Sequence, residues 1–147
     1  MKNQTIGVEI EMTGLTRKAA AETVAKHFGT TAVYVGGSYG AYEVKDNGGR
    51  IWKLMYDSSI KVQVKNANGE IETLGFGGSD YKVELVTPIL KYSDIETLQE
   101  IIRTVRKAGA FVNNSCGMHI HIGAEKFTAQ TVRNLVNTIA SKTVLLP

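Results

Sequence analysis

The stretch Gly7-Val8-Glu9-Ile10-Glu11-Met12 alternates between apolar residues and glycine or glutamate. Such alternation is typical of a β-strand with one buried face, because successive side chains point to opposite sides of a sheet. We therefore predict a strand over Thr5–Met12 whose apolar side chains enter the core. Glu9 and Glu11 then share the other face, roughly 7 Å apart for a rise of about 3.3 Å per residue.

Two later segments show the same pattern. Tyr81–Val86 turns Glu84 away from its apolar residues, and Met118–Ile122 turns His119 and His121 away from its own. If the three strands pair in one sheet, three carboxylates and two imidazoles converge on its open face. Carboxylates this close raise each other's pKa unless a cation neutralises them. Oxygen ligands suit Mg²⁺ or Mn²⁺, and Mn²⁺ also accepts imidazole, so the sequence predicts a divalent-metal site.

Each of these motifs has an ordinary alternative when it is taken alone. Glutamates are mostly exposed in folded proteins, so a pair of them on the wet face of a strand is common. A His-x-His segment on a strand is more often surface or hydrogen-bonded histidine than a pair of metal ligands. The joint occurrence on matching faces favours the metal site, although periodicity does not establish that the strands are neighbours.

The rest of the pattern predicts an α+β fold with a mostly antiparallel sheet and helices on one face. Predicted helices are Arg17–Phe28 after the N-cap Thr16, a helix from the capping box Ser93–Glu96 to Ala108, and 128–141. Further predicted strands are Thr31–Val35, the hairpin Ala41–Lys45 with Arg50–Tyr56, the hairpin Ile60–Lys65 with Glu70–Phe76, and Ala110–Val112. Trp52 is expected in the core.

Composition argues against several classes of protein. The chain has 147 residues and a net charge of +3, with 43% hydrophobic and 21% charged residues, which suits one globular domain. It lacks the runs of like charge that bind nucleic acid. Its sequence has no apolar stretch near the roughly 18 residues of a membrane span. Cys116 is the single cysteine, which excludes an internal disulfide and favours a reducing, cytoplasmic location.

Four segments together resemble a known enzyme family. Asn114–His121 is similar to the Gly-x-Gly-Met-His-x-His type of signature in glutamine synthetase. With Gly7–Glu11, with Trp52 followed by Asp57-Ser58-Ser59, and with Val83–Pro88, the chain resembles the amidoligase family over about residues 5–141. That family belongs to the carboxylate–amine ligase superfamily, so the resemblance implies a glutamine synthetase-like catalytic fold.

The resemblance also implies an activity and its cofactors. ATP would phosphorylate the carboxylate of a small-molecule or peptide substrate, and an amine would then attack the acyl phosphate, with Mg²⁺ or Mn²⁺ as cofactor. Residues that match the family's metal ligands, and that are also the candidate catalytic residues, are Glu9, Glu11, Glu84 and His119. His121 matches a position near the nucleotide phosphates. Candidate substrate-binding residues are Asn114, Gly117, Asp57 and Ser58.

The chain departs from the family pattern at its C-terminal end. Glutamine synthetase-like ligases use an arginine and another acid from a later segment, which would fall beyond Ser141. The chain finishes on the apolar run Thr143–Pro147, which is unusual for an exposed terminus. We therefore expect residues 1–147 to be a single domain that is the N-terminal part of a larger catalytic domain. Two alternatives stay open, a metal-dependent hydrolase and a non-catalytic fragment that keeps only the fold.

Overall fold

A computed structural model describes residues 3–75 and 77–142. Its strands are β1 (Ile6–Met12), β2 (Ala32–Gly36), β3 (Ala41–Lys45), β4 (Ile51–Met55), β5 (Gln63–Lys65), β6 (Ile71–Thr73), β7 (Val83–Val86) and β8 (Met118–Ile122). Its helices are α1 (Arg17–Phe28), α2 (Ile95–Lys107) and α3 (Ala129–Ser141). Within the described ranges, no helix is both long enough and apolar enough to span a bilayer.

The strands form a six-stranded sheet in the order β2-β3-β4-β7-β1-β8, and every pair in it is antiparallel. β5 and β6 form a separate hairpin. The order places β1 between β7 and β8, so strands that lie far apart in the sequence meet at the centre and one edge of the sheet. The predicted α+β class with an antiparallel sheet is confirmed.

α1 and α2 lie on the same face of the sheet. α1 buries small residues such as Ala20, Ala21 and Val24, which allow the helix to lie close to the strands. α2 buries the apolar stripe Leu98, Ile101 and Val105. The strands contribute Val8, Met12, Val44, Trp52, Leu54, Val83 and Leu85 to this core. The alternating residues of the same strands, the glutamates among them, therefore lie on the face that α1 and α2 leave uncovered.

The local signals at α1 predicted its ends correctly. The Thr16 side chain accepts a hydrogen bond from the Ala19 amide at 3.2 Å, as an N-cap does. Gly29 ends the helix in the left-handed conformation, with φ of 68°, which costs glycine little because it has no Cβ. Trp52 is fully buried, as predicted.

The predicted start of α2 is wrong. Tyr92–Asp94 forms a 3₁₀ turn, and the α-helix begins at Ile95. The Asp94 carboxylate accepts from the Lys91 amide at 2.8 Å and from the Arg50 guanidinium at 2.9 and 3.1 Å. This distant arginine anchors Asp94, so the turn around Asp94 takes the place that the sequence assigned to a cap at Ser93.

Other predicted strands differ from the structure. The strand predicted over Tyr81–Val86 begins only at Val83, because Ser79–Tyr81 forms a 3₁₀ turn. Ala110–Val112 contributes only an isolated bridge, between Phe111 and Thr13. The second hairpin is shorter than predicted, because β5 and β6 have three residues each. The prediction for Phe76, within that hairpin, and the one for Thr143–Pro147 fall outside the residues that the structure describes.

Candidate metal centre

The register of β1 with its two neighbours brings the predicted ligands together. Glu11 lies opposite Glu84 on β7, and Glu9 lies opposite His119 on β8. These pairs share one face, since side chains directly across an antiparallel pair point to the same side. The polar face of β1 is therefore flanked by a carboxylate on one side and by an imidazole on the other.

The first group of possible metal ligands is Glu9, Glu84 and His119. One ligand atom of each lies within 4.8 Å of the others, a spacing that a single ion can bridge. Glu9 Oε2 lies 3.1 Å from His119 Nδ1, and Glu9 Oε1 lies 3.2 Å from His121 Nε2. Glu9 is thus held between the two histidines of β8.

The second group is Glu11, Asp57 and Glu84, whose ligand oxygens also lie within 4.8 Å of one another. Asp57 follows β4, where Met55 lies opposite Glu84. Glu84 belongs to both groups, so its carboxylate is placed to bridge two ions. Bridged pairs of cations about 3.5–4 Å apart are a common arrangement in enzymes that act on phosphate groups.

Glu11 is almost completely buried, with 6% of its surface exposed. Its Oε2 accepts a hydrogen bond from the Gly117 amide at 2.7 Å, and the Glu11 amide donates to the Gly117 carbonyl at 3.1 Å. This exchange fixes the carboxylate at the point where the loop before β8 meets β1. A ligand held in this way loses little conformational freedom when it binds a metal.

Asn113 holds the loop that presents Gly117. Its Oδ1 accepts from the Ser115 amide at 2.9 Å, and its Nδ2 donates to the Lys61 carbonyl at 2.8 Å. The Lys61 amide donates in turn to Ser115 Oγ at 2.8 Å. The loop is therefore attached to the segment before β5, and through Gly117 to the carboxylate of Glu11.

The ionised form of Glu84 is disfavoured by its surroundings in the site. Burial raises its pKa, and the nearby carboxylates of Glu9, Asp57 and Glu11 raise it further. Only 8% of the residue is exposed, so water screens this repulsion weakly. A divalent cation at the cluster would offset both effects, because it replaces the lost hydration and adds positive charge.

Glu9 and His119 shift in opposite directions. The hydrogen bond with His119 lowers the pKa of Glu9, and contacts with His121 lower it further against the opposing effect of desolvation. The same hydrogen bond with Glu9 raises the pKa of His119. Both pKa shifts favour a carboxylate beside an imidazolium, so a metal that binds His119 competes with a proton for the ring.

The structure brings together the four residues that the sequence analysis proposed as ligands and adds Asp57 to them. The family resemblance implied only a substrate contact for Asp57, whereas here its carboxylate belongs to the acidic group. Ser58 follows Asp57 on the loop after β4, and Asn114 lies on the loop before β8. Both residues are exposed. The Gly117 amide is already donated to Glu11.

The sequence does not indicate that Asp57 belongs to the acidic group or that Asn113 holds the loop before β8. Both lie in loops, where no periodicity indicates the direction of a side chain. The Asn-x-Ser spacing of Asn113 and Ser115 signals an Asx turn, in which the side chain bonds the backbone two residues on. That signal predicts a tight turn, but not the contact with the distant Lys61.

The donor set fits Mg²⁺ or Mn²⁺. Four carboxylates and one imidazole are hard or borderline ligands, and they come from strands and from a loop tied to the sheet. Within the described residues, no cysteine belongs to either group, which disfavours a structural zinc site. Such a cluster can bind one or two divalent cations and, through them, phosphate oxygens.

Comparison with known proteins gives a match at the level of a protein family. No curated protein and no solved structure matches the chain, so the glutamine synthetase-like fold stays a prediction. Over residues 2–147, the sequence matches the family described as "Putative amidoligase enzyme". Because this match extends over nearly the whole sequence, the chain belongs to the amidoligase family.

Proposed function

We propose that this protein is an ATP- and divalent-metal-dependent carboxylate–amine ligase that forms an amide through an acyl phosphate. Family membership supports ligase chemistry in general. The observation that carries the finer proposal is the position of Glu84, whose carboxylate belongs to two adjoining groups of ligands. A bridged pair of cations can neutralise the phosphate oxygens of a nucleotide-dependent phosphoryl transfer, as the two Mg²⁺ ions of protein kinases do.

In the proposed reaction, an oxygen of the substrate carboxylate attacks the γ-phosphorus of ATP and ADP leaves. The amine nitrogen then attacks the carbonyl carbon of the acyl phosphate, inorganic phosphate leaves, and the nitrogen loses a proton. Bound cations would neutralise the phosphate oxygens during the first step. The chain's own contribution is to position the reactants and to exclude competing geometries.

The residues divide between these tasks. Glu9, Glu84 and His119 would hold one cation, and Glu11 and Asp57 would share Glu84 to hold the other. We assign His121, whose side chain is 63% exposed beside Glu9, to the nucleotide phosphates. Remaining candidates for contact with the acid substrate are Asn114 and Ser58, whereas Gly117 acts through Glu11, to which its amide is already donated. The acid and the amine are small molecules or peptides.

The first test is a calorimetric titration of the protein with Mn²⁺. We expect saturable binding that weakens at least tenfold in Glu9→Gln, Asp57→Asn and His119→Ala, since each change removes a ligand. Glu43→Gln is the matched control, because Glu43 lies on the same face of the sheet and pairs with Lys53 at 3.4 Å, outside both groups. Binding that is unchanged in all three site variants would contradict the metal centre.

The second test separates the ligase from a metal-dependent hydrolase. A ligase of this kind produces ADP continuously only when ATP, Mg²⁺ or Mn²⁺, an acid and an amine are present together, whereas a hydrolase needs no nucleotide. We expect ATP to bind with measurable affinity only in the presence of the metal. Metal binding without nucleotide binding would leave the metal centre in place and exclude the ligase.

A further inference from the structure

The helical layer covers only part of the sheet. Two strands span roughly 10 Å, about the width of one helix, so a six-stranded sheet needs three helices to cover one face. α1 contacts β2, β3 and β4, and α2 lies beside α1. Along the edge formed by β1 and β8, the described part of the chain places no third helix.

The uncovered strip is apolar. On β8, the residues that share the face of the buried Val8 are Met118, Ile120 and Ile122, and they are 61%, 58% and 59% exposed. An apolar groove of about 330 Å³ continues this strip towards α2, between Ile10 of β1 and Ile102 of the helix. We call the three β8 residues together with this groove the β8 strip. Exposed patches of this kind usually mark a contact surface.

α3 has the matching surface. Val132, Leu135, Val136 and Ile139 lie at the i, i+3, i+4, i+7 spacing of one helical face, and they are 46–57% exposed. All 13 residues of α3 are exposed. An isolated helix of that length is marginal in water, so α3 needs a partner surface to be stable. Arg133 is its single charged residue, which keeps the cost of desolvation low.

The loop before α3 is fastened to the start of β1, and the helix that follows it keeps its apolar face exposed. The Gly123 amide donates to the Thr5 carbonyl at 2.9 Å, and Thr5 Oγ1 donates to Glu125 at 2.9 Å. Gln4 Nε2 donates to the Gly123 carbonyl at 2.6 Å. A Cβ on Gly123 would lie 2.1 Å from Thr5 Oγ1, so the close approach requires glycine. These contacts fasten the loop to the start of β1, beyond the edge of the strip.

We propose that α3 of a second copy of this chain packs on the β8 strip, and that the exchange is reciprocal. Each sheet then gains its third helix, and each α3 gains an apolar partner, which is an isologous, domain-swapped dimer. A helix about 20 Å long and about 10 Å wide, packed twice, buries on the order of 1,000 Å², which lies at the lower limit for a specific interface. This inference is independent of the proposed ligase chemistry.

The test combines molar mass with cross-linking of the full chain. We expect light scattering to give twice the 16.0 kDa of one copy at micromolar concentration. In a Cys116→Ser background, Ile120→Cys and Leu135→Cys chains are co-expressed and mildly oxidised, and we expect a disulfide between the two copies. A chain that carries both substitutions tests the other arrangement, in which α3 packs on the β8 strip of its own copy and the disulfide forms within one chain.

Point variants make the dimer assignment specific. Leu135→Glu places a charge in the apolar stripe and should weaken the dimer at least tenfold. Asn137→Glu is the matched control on the opposite face of α3 and should leave the dimer unchanged. A monomer, a disulfide only within single copies, or a dimer that forms no Ile120–Leu135 cross-link would each overturn the proposal.

Discussion

At the scale of single residues, Glu84 illustrates how a site conflicts with stability. Its carboxylate is 8% exposed and faces three other acids, Glu9, Glu11 and Asp57. A soluble protein rarely buries a charge without a partner, because desolvation is not repaid. A cation that binds after folding would supply the missing partner and offset the cost of burying this charge.

Replacement of Glu84 by glutamine tests this conflict. Because the pKa of Glu84 is raised in the folded state, ionisation destabilises the metal-free fold once the pH exceeds the ordinary value of roughly 4.3. Glu84→Gln should therefore raise the free energy of unfolding near pH 7 by on the order of 1 kcal/mol, the usual size of a single-residue effect. Urea denaturation in the presence of a chelator measures it.

The same variant should lose metal affinity. We expect Mn²⁺ to bind at least tenfold more weakly, since both groups of ligands use this carboxylate. The stability difference should shrink as the pH falls from the raised pKa of Glu84, and it should vanish below about 4, where the side chain is protonated in both the folded and the unfolded state. A Glu84→Gln protein that is less stable than wild type at neutral pH and binds Mn²⁺ normally would refute the bridging role.

Metal binding should also depend on pH through His119. Its raised pKa keeps a proton on the ring above the ordinary histidine value of about 6.5. Mn²⁺ must displace that proton, so its affinity should fall by up to about tenfold per unit as the pH drops through the raised pKa. Calorimetry between about pH 8 and about pH 6 measures this slope. His119→Ala should flatten it, and an equally steep slope in that variant would assign the proton to another group.

At the scale of elements, the β3–β4 hairpin depends on one buried carboxylate. Asp46 accepts from the Gly48 amide at 2.9 Å and from Arg50 Nε at 2.8 Å, and Trp52 Nε1 lies 3.3 Å away. Arg50 also pairs with Asp94 at the start of α2. One side chain therefore shapes the turn, orients the central tryptophan and, through Arg50, connects the sheet to the helical layer.

Asp46→Ala should cost about 2–4 kcal/mol, since it leaves several donors without an acceptor. Burial on its own would raise the pKa of Asp46, but hydrogen bonds from Arg50, Trp52 and Gly48 outweigh it and lower the pKa. The stabilisation is thus present above the ordinary aspartate value and is lost as the pH falls through the lower folded value. Urea denaturation at neutral and acidic pH measures both effects.

Asp80→Ala is the control for the hairpin. The Asp80 side chain is 72% exposed and pairs with Arg17 at 2.8 Å, so its removal should cost less than about 1 kcal/mol. Comparable losses in the two variants would mean that burial of the Asp46 network contributes nothing beyond a surface ion pair.

At the scale of the whole molecule, the candidate site joins distant parts of the chain. β1 and β7 supply carboxylates from inside the sheet, and β8 supplies His119 from its edge. Among the described strands, β8 pairs only with β1. A metal ion held by Glu9, Glu84 and His119 would therefore bind the edge strand to the centre of the sheet.

This arrangement predicts a local effect on hydrogen exchange. With saturating Mn²⁺, the amides of β8 that bond to β1 should exchange at least tenfold more slowly, because metal binding suppresses local opening. Amides of β2, the opposite edge, should exchange as before. Mass spectrometry of peptic fragments distinguishes the two edges of the sheet. Equal protection of β2 and β8 would indicate that the metal stabilises the whole fold and does not specifically link β8 to β1.

The sequence by itself determined the local parts of this protein. Strict alternation in β1 assigned Glu9 and Glu11 to one face, because a period of two leaves no other choice. The cap at Thr16 and Gly29 set the limits of α1, since orphan amides and carbonyls at helix ends need local partners. These signals lie within a few residues of one another and do not depend on the rest of the fold.

Tertiary structure alone decided which of these parts meet. The register that sets Glu11 opposite Glu84 and Glu9 opposite His119 joins residues more than 70 positions apart, and the strand pattern indicates a face but not a neighbour. Asp57 and Asp94 took their places through distant partners, the acidic cluster and Arg50. Periodicity is a property of a segment, whereas a metal site and a buried ion pair are properties of segments brought together.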